Sequence, residues 1–343
     1  MNIDDRKVRI LQAIIHDYIR NGEPVGSRTI AKKYNLGVSS ATIRNEMSDL
    51  EEMGYLEQLH SSSGRKPSDK GYRLYVDNLM QIPKMSPQQE VIIKNHLLNL
   101  AVYEMDRVIK DIAQYLSELT KLTCIVKGPS IKRSCLKHIQ LTSIDCNNIL
   151  MTIVTDSGII KNAIIKSNMS VKQETLFKLC NLINDEFKYK NIEDLTLDVV
   201  FKLKREMDED EQIFDCIIEV LYNTLKEIDV SEVYLGGTTN IFNYQEYNDI
   251  ERARKFLGLL DDDKRIRKLL DRCINENDIS IKIGTENYVE GAENCSIISA
   301  VYSSNDRPLG SIAIIGPTRM EYSKVVSVLG EVIKILNEGI IPR

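Results

Sequence analysis

Between residues 39 and 52, Ile43, Met47 and Leu50 recur at i, i+4 and i+7. An amphipathic helix with that buried stripe turns Ala41, Asn45 and Ser48 outward and carries Thr42 and Arg44 on its flanks. Ser39 or Ser40 opens it as the cap. Small and hydrogen-bonding side chains on one helix face can approach base edges: asparagine suits adenine, and arginine suits guanine or phosphate. Asp49, Glu51 and Glu52 follow in the same helix and repel phosphate, so contact is expected on the N-terminal turns, where the helix dipole attracts anions. A second set lies beyond: Arg65 and Lys66 at the tip of a Ser-Gly loop, then Lys70 and Arg73. An arginine on such a loop suits a minor groove. His60, at the base of the loop, is either a structural hydrogen-bonder or a phosphate contact. Candidate DNA contacts are therefore Ser39, Ser40, Ala41, Thr42, Arg44, Asn45, Ser48, His60, Arg65, Lys66, Lys70 and Arg73, although adjacent basic residues also suit an ordinary solvated loop.

The elements that must hold these residues are local. Val8, Leu11, Ile15 and Ile19 mark a first helix that ends at Gly22. A short second helix begins with Ser27 as cap and carries Ile30, Ala31 and Tyr34, with Asn35-Leu36-Gly37 as the turn into the third. That third helix stops at Gly54. Tyr55 to His60 alternates as a strand does, residues 61–67 form a polar loop, and another helix starts near Ser68. Two helices across a tight turn, then a strand and a loop, describe a helix-turn-helix with a wing over residues 1–78. Three amphipathic helices also describe a plain bundle, and the pattern alone leaves both open.

Past Asn78 the chain changes character. Residues 81–87 read as a linker, and Ser86-Pro87-Gln88-Gln89 is a capping-box start, giving a linker and helix over 79–104. Met105, Ile109, Ile112, Leu116 and Leu119 stripe a long helix. Strand-like runs follow at 138–144, 149–155 and 159–165. Residues 171–228 switch to helix, with Leu176, Cys180, Ile183 and Phe187 on one face and Ile213, Ile217, Val220, Leu221, Leu225 and Ile228 on another. The acidic run 206–211 between them reads as a solvated turn. Strand patterns return at 232–235, 279–283, 295–302 and 309–315, before a last helix with Val325, Leu329, Val332 and Leu336. An α+β domain with an insertion fits this order.

The 343 residues carry a net charge of -5, which argues against nucleic acid until the distribution is considered. Residues 1–75 hold 12 Lys and Arg against 10 Asp and Glu, so position, not bulk charge, must carry the argument for DNA. The seven cysteines show no CxxC pair and read as reduced, mostly buried thiols. The four histidines lie far apart, without a partner at metal-ligand spacing. Neither a GxxxxGK[ST] loop nor a GxSxG elbow nor HExxH occurs. Gly236-Gly237-Thr238-Thr239-Asn240 could cradle a phosphate but lacks the lysine and reads better as a turn. No enzyme, cofactor or metal is expected. Apolar runs are strand-sized and the N-terminus is charged, so a cytoplasmic protein without a membrane contact is expected.

The runs Pro24-Val25-Gly26-Ser27, Ser40 to Met47, Leu50 to Leu56 and His60 to Arg73 resemble the heat-inducible transcription repressor HrcA family, as does Gly310 to Met320. The likeness spans both ends of the chain. It implies a winged-helix DNA-binding domain at 1–78, a GAF-like domain built from 105–170 and 275–343, and an inserted dimerisation domain at 171–274. It further implies repression of chaperone genes at the inverted repeat called CIRCE, with binding by a homodimer and with the chaperonin supporting activity. The family usually has threonine at position 68 and an apolar residue at 66; Ser68 keeps the capping function, whereas Lys66 adds a charge to the wing. A winged-helix regulator whose GAF-like domain binds a small effector, and an enzyme bearing a DNA-binding appendage, are the competing readings.

Overall fold

Gly22 adopts a left-handed conformation and closes the first helix, α1 (Asp5–Asn21), its N–H donating to Tyr18 O at 2.8 Å. This computed structural model describes residues 3–58, 64–100, 105–129, 135–156, 159–167, 171–188, 203–204, 211–227, 232–273, 279–304 and 307–340. In α2 (Ser27–Lys33) the cap position belongs to Gly26 and not to Ser27, which is the first helical residue and makes no capping bond. Gly26 O accepts from Thr29 and Ile30 instead. Next comes α3 (Ser40–Glu52), then a ribbon of two short antiparallel strands, β1 (Leu56–Glu57) and β2 (Lys66–Pro67). The strand expected over 55–60 is thus shorter, and its end lies outside the described residues. Ser68 caps α4 (Asp69–Leu74), which runs into a π-type turn at Tyr75–Leu79. The helix α5 (Pro87–Leu100) opens on a reciprocal capping box, Ser86 N to Gln89 Oε1 at 3.1 Å and Gln89 N to Ser86 Oγ at 3.3 Å.

The main body is one antiparallel sheet of five strands. Its members are β3 (Thr123–Lys127), β7 (Val233–Gly236), β8 (Ser280–Ile283), β9 (Cys295–Ser304) and β10 (Arg307–Pro317), in the order β7-β3-β10-β9-β8. Alternation along the strands gives the sheet two apolar faces. Cys124, Val126, Ile298, Ile312 and Ile314 meet α6 (Met105–Thr120), α11 (Tyr322–Ile335) and the N-terminal helices in one continuous core. On the reverse face Ile125, Ile297, Ala313 and Ile315 pack against α9 (Ile250–Asp261) and α10 (Asp263–Cys273).

A second sheet stands apart. Strands β4 (Leu136–Ser143), β5 (Asn148–Thr155) and β6 (Ile160–Lys166) pair only with each other. With α7 (Gln173–Phe187) and α8 (Glu211–Glu227) they enclose a separate core that includes Ile139, Met151, Ile153, Ile183, Phe187 and Phe214. Asn184 fastens α7 to β4: its Oδ1 accepts from Ile139 N at 2.8 Å and its Nδ2 donates to Ile139 O at 2.7 Å.

Two expectations are corrected here. The insertion lies between β3 and β7 and takes in the three strands assigned by sequence to the GAF-like domain at 105–170; residues 233–273, assigned to the insertion, pack on the main sheet instead. Strand propensity marks a strand without saying which sheet it joins, because partner edges are set by long-range pairing. The stripes at Leu176, Cys180, Ile183 and Phe187, and at Ile213, Ile217 and Leu221, are buried inside this unit's own core, so they are not free to face a second chain. Much of the acidic run, 206–210, lies outside the described residues. The Gly236 to Asn240 segment is a tight turn: Asn240 Nδ2 donates to Leu122 O at 3.0 Å, and Asn240 N to Gly237 O at 3.0 Å.

Candidate nucleic-acid interface

The geometry of α3 follows from its cap and its stripe. Ser39 Oγ accepts from Thr42 N at 3.1 Å and lies 3.0 Å from Thr42 Oγ1, so both residues help to terminate the helix. Ile43, Met47 and Leu50 are buried, which orients the helix and leaves Ala41, Arg44, Asn45 and Ser48 exposed. The side chains of Arg44, Asn45 and Ser48 make no hydrogen bond or ion pair among the described residues. Ser40 and Thr42 are half-buried beside them. The first turn holds no acidic residue, so the positive end of the helix dipole is uncompensated there.

Carboxylates on α3 are largely neutralised within the unit. Glu46 is buried and pairs with Lys7 at 2.7 Å and Arg6 at 3.4 Å; Asp49 pairs with Lys7 at 3.0 Å. Hydrogen bonds from Lys7 to Glu46 and Asp49 hold its ammonium above the ordinary lysine range. Glu51 pairs with Arg65 at 2.7 Å. The acids expected to repel DNA are therefore mostly masked, with Glu52 the exposed exception.

The basic residues of the second set go elsewhere. Arg65 does not sit at the tip of the loop: its backbone exchanges hydrogen bonds with Val25 at 2.8 and 2.9 Å and its guanidinium turns back to Glu51. Lys66 pairs with Glu57, its register partner across the ribbon, at 3.1 Å. Lys70 Nζ donates to Met53 O at 2.8 Å, closing the C-terminus of α3, and lies 4.6 Å from the Tyr55 ring. Arg73 Nε donates to Glu286 Oε1 at 2.8 Å and its Nη2 to Ile281 O at 2.6 Å, both on the main body. Burial resists ionisation of Glu286, yet Arg73 and the Ile283 N–H hold its carboxyl below the ordinary range. Each of these four cations has a partner within the chain, so a phosphate would have to compete with that partner for it. His60 and loop residues 59–63 lie outside the described residues.

Sequence reasoning passed over two cations on α2. Arg28 and Lys32 are exposed, four residues apart, and without an ion-pair partner among the described residues, whereas the neighbouring Lys33 is bound to Asp17 at 2.7 Å. Their i, i+4 spacing on a helix that buries Ile30 was the available signal. The exposed row on α3 and the exposed cations on α2 are of the side-chain types that read base edges and hold phosphate.

Comparison with known proteins agrees with the resemblance of the motifs. A protein-family profile described as HrcA protein C terminal domain matches residues 106–326. The heat-inducible transcription repressor HrcA of Clostridium acetobutylicum is 52% identical over 341 residues, covering 99% of this chain and 98% of that protein. That of Clostridium tetani is 53% identical over 339 residues, covering 98% and 96%. A crystal structure described only as a hypothetical protein superposes with a TM-score of 0.63 at 21% identity, covering 98% of each chain.

Proposed function

Since the chain belongs to the HrcA family of heat-inducible transcription repressors, we propose that it represses heat-shock genes by binding the CIRCE inverted repeat as a homodimer. The observation that carries this reading is the row Ala41, Arg44, Asn45 and Ser48, exposed and unengaged on α3, while neighbouring acids on that helix are internally paired. In it, residues 1–78 act as a winged helix-turn-helix, with α3 in the major groove and Arg28 and Lys32 on phosphates.

A single unit of this size contacts too few phosphates for operator-level affinity, so two copies are needed. The inserted unit supplies their contact. Register pairs Leu150 with Ile164 and Val154 with Ile160, which places four apolar side chains on the outer face of the three-stranded sheet. Ile160 and Ile164 are 51% and 60% exposed there. Such an apolar face on an edge strand is suited to a second copy.

The five-stranded sheet serves as the GAF-like body. On its α9/α10 face Phe256, Leu259, Leu269 and Tyr247 pack together, and a cavity beside Asn287 of about 20 Å³ has room for roughly one water. The chaperonin enters as a folding partner, because a chain whose insertion must assemble across a dimer passes through aggregation-prone intermediates. Heat then releases the operator by loss of the folded dimer, in the bacterial cytoplasm. Footprinting of the purified protein on genomic DNA tests the reading. The expected result is protection of two symmetry-related half-sites upstream of chaperone genes; protection without two-fold symmetry, or none, overturns it.

A further inference from the structure

The N-terminal unit meets the main body along an apolar seam. Tyr72 and Tyr75 are buried in it, and the Tyr72 ring lies 5.8 Å from that of Tyr322. Apolar contact is non-directional, so it holds the two parts together without choosing an angle between them. Direction comes from two polar tethers set into the seam.

The first is Arg319, in the segment between β10 and α11 and only 8% exposed. Its Nη1 donates to Ile19 O, in the last turn of α1, at 3.2 Å. Its Nε is bound to Glu246, and its guanidinium carbon lies 5.3 Å from the centroid of the Tyr244 ring. A side chain at position 22 would collide with it, since a Cβ there falls 2.8 Å from the guanidinium. The second tether joins α4 to the end of β8. Arg73 reaches Glu286 and Ile281 O, while Asp69 Oδ2 accepts from Thr285 N at 2.9 Å and Thr285 Oγ1 at 3.2 Å. One tether would leave a swivel; two, engaging different helices of the N-terminal unit, fix rotation as well as position.

We propose that Arg319 and Arg73 are positioning residues that set the angle of α3 against the main body, and so the half-site spacing that the dimer accepts. The proposal rests on the dimeric operator-binding reading above. Neither residue contacts DNA. Each base pair added between half-sites turns one against the other by about 35° and moves it by about 3.4 Å, which rigidly held recognition helices cannot follow.

The test uses the full chain and fluorescence anisotropy on four duplexes: the natural repeat, the repeat with one base pair inserted between half-sites, the repeat with one deleted, and a single half-site. Two variants are compared with wild type. Arg319→Gln with Glu246→Gln removes both charges together and so leaves no buried charge unpaired. Glu286→Gln acts at the second tether, where partial exposure makes folding tolerant of the change. Wild type is expected to lose about tenfold or more in affinity on either altered spacing. Both variants should flatten that loss to about threefold or less, with half-site affinity unchanged. Should thermal melts show that the double variant is unfolded, Glu286→Gln decides alone. A wild-type spacing profile in the folded variants overturns the proposal, whereas a wild type that prefers the natural repeat no more than a half-site overturns the dimeric reading instead.

Discussion

Arg65 Nε donates to Glu51 Oε2 at 2.7 Å, so the arginine that follows the ribbon loop braces the end of α3 and does not point into solvent. Its backbone bridge to Val25 adds a second hold on the segment before α2. A partly exposed pair of this kind contributes about 0.5–1 kcal/mol. Arg65→Ala should therefore lower the melting temperature by only about 1 °C while the log-log slope of DNA affinity against salt stays at its wild-type value. A slope shallower by about one unit would return Arg65 to a phosphate.

Asn45 and the α2 cations should fail in different ways. Asn45→Ala leaves the buried stripe intact and removes a base-edge contact, costing about 1–3 kcal/mol on operator with little effect on scrambled DNA. Arg28→Ala with Lys32→Ala should weaken both duplexes alike and flatten the salt slope by about two units. Anisotropy titrations at several salt concentrations separate the two, and equal weakening of both duplexes by Asn45→Ala would take α3 out of the groove.

What could be seen in the sequence was whatever depends on near neighbours. The i, i+4, i+7 stripe of α3, its Ser39 cap and the Ser86 capping box are short-range, and each is found in place. Ser68 also caps as expected, its Oγ accepting from Gly71 N at 3.1 Å and donating to Gly54 O at 2.7 Å. Side-chain destinations were another matter. The partner of Arg65 is 14 residues away and that of Arg73 is 213 away, and nothing in local spacing marks either. Strands β4 to β6 were recognisable as strands, but their separation from the main sheet depends on edges that only the folded chain brings together. The helical stripe at Leu176, Cys180 and Ile183, expected to supply the contact between two chains, is instead filled by the unit's own core.

His16 offers a pH test of the seam. Its ring meets Tyr75 edge-on at 5.6 Å between centroids, with Nε2 3.3 Å from Tyr75 Oη. Burial, aided by Arg20, pushes the imidazole below its ordinary value of 6.5. A histidine depressed in the folded state binds its proton more readily when unfolded, so stability is retained above pH 6.5 and lost as pH falls from there toward the folded value. Melting temperature should drop more steeply between about pH 7.5 and 5.5 in wild type than in His16→Gln. Parallel curves would mean that His16 is protonated without penalty.

The outer face of the inserted sheet can be tested by charge. The Ile164 side chain is exposed within one chain, so Ile164→Asp should leave the inserted unit folded. Across a two-fold interface the same change puts a carboxylate into apolar contact, at a cost of several kcal/mol, which is enough to separate the copies. Sedimentation velocity should show the variant as a monomer at concentrations where wild type is a dimer. Its affinity for a single half-site should persist, while affinity for the whole repeat falls about a hundredfold with the loss of the linked second contact. If the variant sediments as a dimer with wild-type dissociation, the copies meet through another surface, and the exposed Phe177 on α7 and Tyr222 on α8 become the positions to charge next.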